Sequence, residues 1–149
     1  MNIYTTLKDL GDFQPQCEFF IAIDSDGTVF DSMKVKHNNC FAVNLIRHFG
    51  LSAISHQVHE VWNYVNINSH TRGTNRFKAL LLTMGYLQAM EVVKTLRINL
   101  PEFDYLSRWI EDNQILSNEI LAKAVEDTQG RQRDQLQQVL KWSKAVNQT

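Results

Sequence analysis

The sequence predicts a mostly α protein in which a helical bundle follows a single strand. Three observations predict it. One uninterrupted apolar run, Phe19-Phe20-Ile21-Ala22-Ile23, ends abruptly at two acids, Asp24 and Asp26. From Met33 to the last residue the apolar spacing is helical. No second apolar run of strand type follows. A short run rich in Ile and Phe suits a strand covered on both faces, as in a parallel sheet.

Residues 1–18 are weakly patterned, and Ile3-Tyr4, Gly11 and Pro15 read as a lead-in loop. After the strand and its acidic corner, Ala42, Leu45, Ile46 and Phe49 recur at helical spacing, with Gly50 as the stop. Ser52 or Ser55 is the expected N-cap of a second helix burying Val58, Val61, Trp62 and Val65. The polar stretch from Asn66 to Gly73 breaks it. Thr74 or Asn75 then caps a third helix bearing Phe77, Leu80, Leu81 and Met84, closed by Gly85. Residues 87–98 fit either a short helix or an irregular turn.

Pro101 suits the first position of the next helix, with Glu102 and Asp104 in its opening turn. Phe103, Leu106, Trp109 and Ile110 form its stripe. A further helix from Ser117 buries Leu121, Ala124 and Val125 before Gly130. The last starts at Arg131 and carries Leu136, Val139, Leu140 and Val146. Helices with one apolar stripe and short connections pack as a bundle.

The totals bound the function class. The 149 residues are 44% apolar and 21% charged, enough for a real core. A net charge of -1, with scattered Lys and Arg, argues against a nucleic-acid partner. No run reaches membrane-spanning length. Cys17 and Cys40 form no disulfide or zinc pattern, so a cytoplasmic location is expected. His56 and His59 lack metal-site spacing and read as a solvent-facing pair.

Open parallel sheets place their chemistry just beyond the carboxyl ends of their strands. Two acids there are costly unless a cation or a reaction needs them. The strand, Asp24, Asp26, Gly27, Thr28 and the trailing Asp31-Ser32 resemble the first motif of the haloacid dehalogenase superfamily, an apolar strand ending in Asp-x-Asp-Gly-Thr. The resemblance is sharp over residues 19–32 and only architectural over residues 33–149. It implies that residues 1–32 are the N-terminal piece of a Rossmann-like core and residues 33–149 a helical cap. The expected fold is therefore a helical-bundle cap following one core strand of a truncated α/β domain.

The resemblance also implies roles. Asp24 is the nucleophile that becomes an aspartyl-phosphate, and a magnesium ligand. Asp26 is the general acid/base, with its main-chain carbonyl on the metal. Gly27 and Thr28 place backbone groups near the phosphoryl position. Members that displace halide lack the second acid, so Asp26 favours a phosphatase or phosphomutase acting on a small phosphorylated metabolite. In the polar break, Arg72 is the one candidate for contacting an anionic substrate from the cap.

The three later motifs of that superfamily are missing: a Ser/Thr-ending strand, a Lys, and a late acidic pair. The expectation is an N-terminal part of a larger hydrolase, inactive alone. Its unpaired strand leaves self-association open. The alternative is a non-enzymatic helical module for interaction or cation binding.

Overall fold

Helical backbone begins at Met33, where the sequence turns from strand-like to helical spacing. The structure, a computed structural model, describes residues 14, 16–19 and 21–149. The readings placed on Ile3, Tyr4, Gly11, Pro15 and Phe20 lie outside the described residues.

The first helical stretch is unbroken: α1 (Met33–Val35), a π-helical segment (Lys36–Ala42) and α2 (Val43–Phe49). Gly50 ends it as expected, at φ +68°, a left-handed geometry that costs glycine little. A 3-10 turn (Ser52–Ile54) leads into α3 (Ser55–Asn63) and a second π-helical segment (Tyr64–Asn68). Two buried asparagines donate to the carbonyl four residues back, both at 2.8 Å: Asn66, inside the second π-helical segment, to Trp62, and Asn44, two residues past the first, to Cys40. Neither Ser52 nor Ser55 caps α3 with its side chain, because the preceding 3-10 turn already engages the backbone there.

Then come α4 (Arg76–Ala89), α5 (Glu91–Thr95), α6 (Asp104–Asp112), α7 (Asn118–Glu126) and α8 (Gly130–Gln148). Asn75 caps α4, accepting from the Phe77 amide at 3.0 Å, and Ser117 caps α7, accepting from Ile120 at 3.3 Å. Gly85 does not close α4. It sits inside the helix, which continues because fully buried Leu87 extends the apolar face past it.

Pro101 precedes α6 rather than opening it. The first amides of α6 are instead satisfied from α8. Gln135 Oε1 accepts from Tyr105 at 2.9 Å and Leu106 at 3.0 Å, while its Nε2 donates to the Glu102 carbonyl. That long-range cap has no local signature. The last helix starts at Gly130, one residue before the expected Arg131.

The fold is thus mostly α. The three tryptophans are core residues: Trp62 and Trp142 are fully buried and Trp109 nearly so. Trp62, Trp142 and Phe41 form one aromatic cluster, with ring centroids 5.6–6.5 Å apart. His37 stacks on Phe41 at 5.1 Å, and its Nδ1 accepts from Trp62 Nε1 at 3.0 Å.

That bond requires His37 to be unprotonated at Nδ1. Burial, and then the neighbouring Lys36 charge, hold its pKa below 6.5. The unfolded chain therefore takes up the proton first. The stability tied to neutral His37 is complete above about pH 6.5 and is lost as pH falls through the lower folded value. His48, depressed by burial, Arg47 and Lys141, acts in the same direction. Thermal melts between pH 7.5 and 5 should show the midpoint falling, and His37→Phe should flatten that slope without abolishing it.

The apolar run behaves differently from a buried strand. Residues 21–24 make no ladder and no backbone hydrogen bond among the described residues. Phe19, Ile21 and Ile23 are 80%, 80% and 70% exposed. The physical reason is partner supply: strand backbone needs neighbouring strands, and the described remainder of the chain is helical.

Candidate functional site

Beyond Ile23 the chain folds into a tight loop that leads straight into α1. The Val29 and Phe30 amides donate to the Ser25 carbonyl at 3.1 and 3.0 Å, and Gly27 N–H donates to Phe30 O at 2.8 Å. Ser32 N–H closes back on the Phe30 carbonyl at 2.8 Å. Gly27 sits at φ +73°, and a Cβ there would lie 2.8 Å from Met33 Cγ. Glycine is needed both for the backbone angle and for the close approach of the helix.

The two acids sit in different surroundings. Asp24 is exposed, and its Oδ1 accepts from the Ser25 amide at 2.8 Å. Its other oxygen has no partner among the described residues. Asp26 is held at both oxygens: Ser32 Oγ donates to Oδ1 at 2.9 Å, and Lys36 Nζ reaches Oδ2 at 2.6 Å. The hydrogen bonds from Lys36 and Ser32, with the Lys36 charge, keep the Asp26 carboxyl below its ordinary pKa. In this arrangement Asp26 is an ionised carboxylate, not a proton donor.

The loop brings Asp24, Asp26, Gly27 and Thr28 together. The Gly27 amide is already used within it, whereas the Thr28 amide has no partner among the described residues. Arg72 is exposed in the Ser69–Thr74 turn, where Thr71 Oγ1 donates to the Val65 carbonyl at 2.7 Å and Gly73 takes φ +77°. No hydrogen bond or ion pair joins Arg72 to the acidic loop among the described residues. His56 is exposed and pairs with Glu60 at 3.5 Å, as a solvent-facing histidine would. His59 is half-buried, with Nδ1 at 3.4 Å from Asn38 Oδ1.

Sequence reasoning missed Lys36. The available signal was the Ser32-x-x-x-Lys36 spacing, which puts hydroxyl and ammonium on one side of the opening helical turn.

No group of three or more His, Cys, Asp or Glu side chains is placed to hold a metal among the described residues. The donors present are hard oxygens, one open on Asp24 and two engaged on Asp26. They suit magnesium, which binds few carboxylates and keeps water or phosphate in its shell, but they supply only part of that shell. No helix of the described residues is long and apolar enough to cross a membrane. A cleft of about 650 Å³ between α4, α5 and α6 is lined by Met84, Gln88, Arg97, Phe103 and Asp104, and none of the loop residues reaches it.

Compared with known proteins, the chain matches no family model, no curated protein and no solved structure.

Proposed function

We propose that the Asp24–Ser32 loop is the phosphoryl-transfer site of a magnesium-dependent phosphatase or phosphomutase acting on a small phosphorylated metabolite in the cytoplasm. The observation that carries this reading is the exposed Asp24 carboxylate. It stands at the end of an apolar segment, beside a positive-φ glycine turn, with one oxygen free. Helices 33–149 form the cap in this reading, and residues 1–32 belong to an α/β core whose other strands lie outside the described residues.

The chemistry follows from the side chains present. Asp24 attacks phosphorus and the bond to the leaving oxygen breaks; Asp26, once released from Lys36 and protonated, gives the departing oxygen its proton. Water then attacks the acyl phosphate, passing a proton to the Asp26 carboxylate, which regenerates the Asp24 carboxylate and releases phosphate. Asp24 and Asp26 would hold magnesium, which would offset the charge between carboxylate and phosphoryl group. Gly27 and Thr28 offer backbone donors, and Arg72 offers a guanidinium from the cap.

The second reading, a non-enzymatic helical or cation-binding module, draws on a different observation. The helices bury a complete aromatic core of their own, while the acids assemble no three-ligand cluster among the described residues.

Phosphate-ester hydrolysis tests the residue roles of the first reading. This chain should turn over slowly or not at all, because no further acid joins Asp24 and Asp26 among the described residues. Any magnesium-dependent turnover should disappear in Asp24→Asn. In Asp26→Asn it should be lost for alkyl phosphates but retained in part for p-nitrophenyl phosphate, whose leaving group needs no proton. Magnesium-dependent hydrolysis that survives Asp24→Asn overturns the assignment.

A further inference from the structure

We propose that Lys36 is a built-in counter-ion that parks the Asp26 carboxylate against the first helical turn, and that a divalent cation entering the loop binds against this clamp. The inference rests on the phosphoryl-transfer reading of Asp24 and Asp26 and adds a residue that controls access to that site.

The geometry is specific. Lys36 Nζ stands 2.6 Å from Asp26 Oδ2, and Ser32 Oγ stands 2.9 Å from Oδ1. Lys36 N–H donates to the Ser32 carbonyl at 2.8 Å, so both donors are preset by one helical turn. The loop is backed onto the same turn, with Met33 Cγ occupying the space beside Gly27 that a side chain would need. Asp24 has no such cation among the described residues, although it lies two residues away. One acid is therefore open and its neighbour is neutralised.

An ammonium and a magnesium ion compete for the same negative charge. Asp26 attracts a metal, or reaches a leaving oxygen, only when its carboxylate is released from Lys36. The ion pair is about half exposed on both sides, so it contributes little to global stability. Its consequence is local, in where Asp26 points.

The test uses the whole chain in three forms: wild type, Lys36→Met, and Lys34→Met as a control for net charge. Magnesium binding is measured by calorimetry. Amide hydrogen exchange at Gly27, Val29 and Phe30 is measured without metal. Lys36→Met should tighten magnesium binding about threefold to fivefold, the scale of an exposed ion pair. It should also speed exchange at the loop amides without moving the unfolding midpoint.

Lys34→Met should do neither. Unchanged exchange in Lys36→Met overturns the clamp, and equal effects in Lys34→Met reduce it to net charge and overturn it too. If wild type binds magnesium and Lys36→Met binds it no more tightly, the competition fails while the site reading stands. Absence of magnesium binding in all three forms overturns the site reading and the competition together, and the exchange data still decide whether the clamp exists.

Discussion

Trp62→Ala should lower the stability of the chain by about 3–5 kcal/mol, among the largest effects expected of a single truncation here. The side chain is fully buried, and its ring packs against Phe41 at 5.6 Å and Trp142 at 6.0 Å. Removing it opens a void at the centre of the aromatic cluster and deletes the Nε1 donor to His37. A buried acceptor without its partner adds a desolvation cost to the lost packing. Trp62→Phe separates the two terms, since it keeps most of the apolar volume but leaves His37 Nδ1 unpaired. Urea unfolding followed by circular dichroism should show a lower midpoint with an unchanged slope. A loss below about 1 kcal/mol would place the centre of the core elsewhere.

Arg76→Ala should cost about 2 kcal/mol, an unusual amount for a half-exposed arginine. Arg76 opens α4, and its Nη1 donates to Ser143 O, Ser143 Oγ and Asn147 Oδ1 on α8 at 3.2, 3.3 and 2.7 Å. Its guanidinium also lies 5.3 Å from the Phe41 ring centroid. No carboxylate pairs with it among the described residues, and burial lowers its pKa. The contribution comes from geometry and not from an ion pair. Arg76→Lys keeps the charge but loses the planar fork and its stacking, so it should recover less than half of the loss. Full recovery by lysine in denaturant melts would assign the effect to charge alone.

Most of the helical architecture was legible because amphipathic periodicity is a local property. Gly50 and Asn75 acted as the sequence indicated, each through a bond within a few residues of itself, and the helix expected from Ser117 starts one residue later with Ser117 as its cap. The misreadings came from burial and from long-range capping. Gly85 looked like a stop, yet the apolar face continuing to Leu87 carried α4 past it. Pro101 looked like a helix start, yet Gln135, thirty positions beyond Tyr105, supplies the acceptor for the first amides of α6.

The same division runs through the site. The Asp24–Thr28 pattern was visible as a pattern, and the positive-φ turn at Gly27 follows from it. What the pattern did not convey is that Asp26 is bound by Lys36, because that pair depends on how the loop folds onto the helix. The strand-like composition of the Phe19–Ile23 run was equally plain. Whether such a run lies in a sheet depends on strands that the described residues do not provide.

The central claim is that Asp24 accepts a phosphoryl group with magnesium beside it. Beryllium fluoride mimics that group on a carboxylate, so the ¹⁹F spectrum of the chain with magnesium and fluoroberyllate reads the claim directly. A protein-bound fluorine signal that needs magnesium and vanishes in Asp24→Asn is the result this account predicts. A wild-type spectrum holding only free fluoroberyllate, or a bound signal untouched by Asp24→Asn, would contradict it.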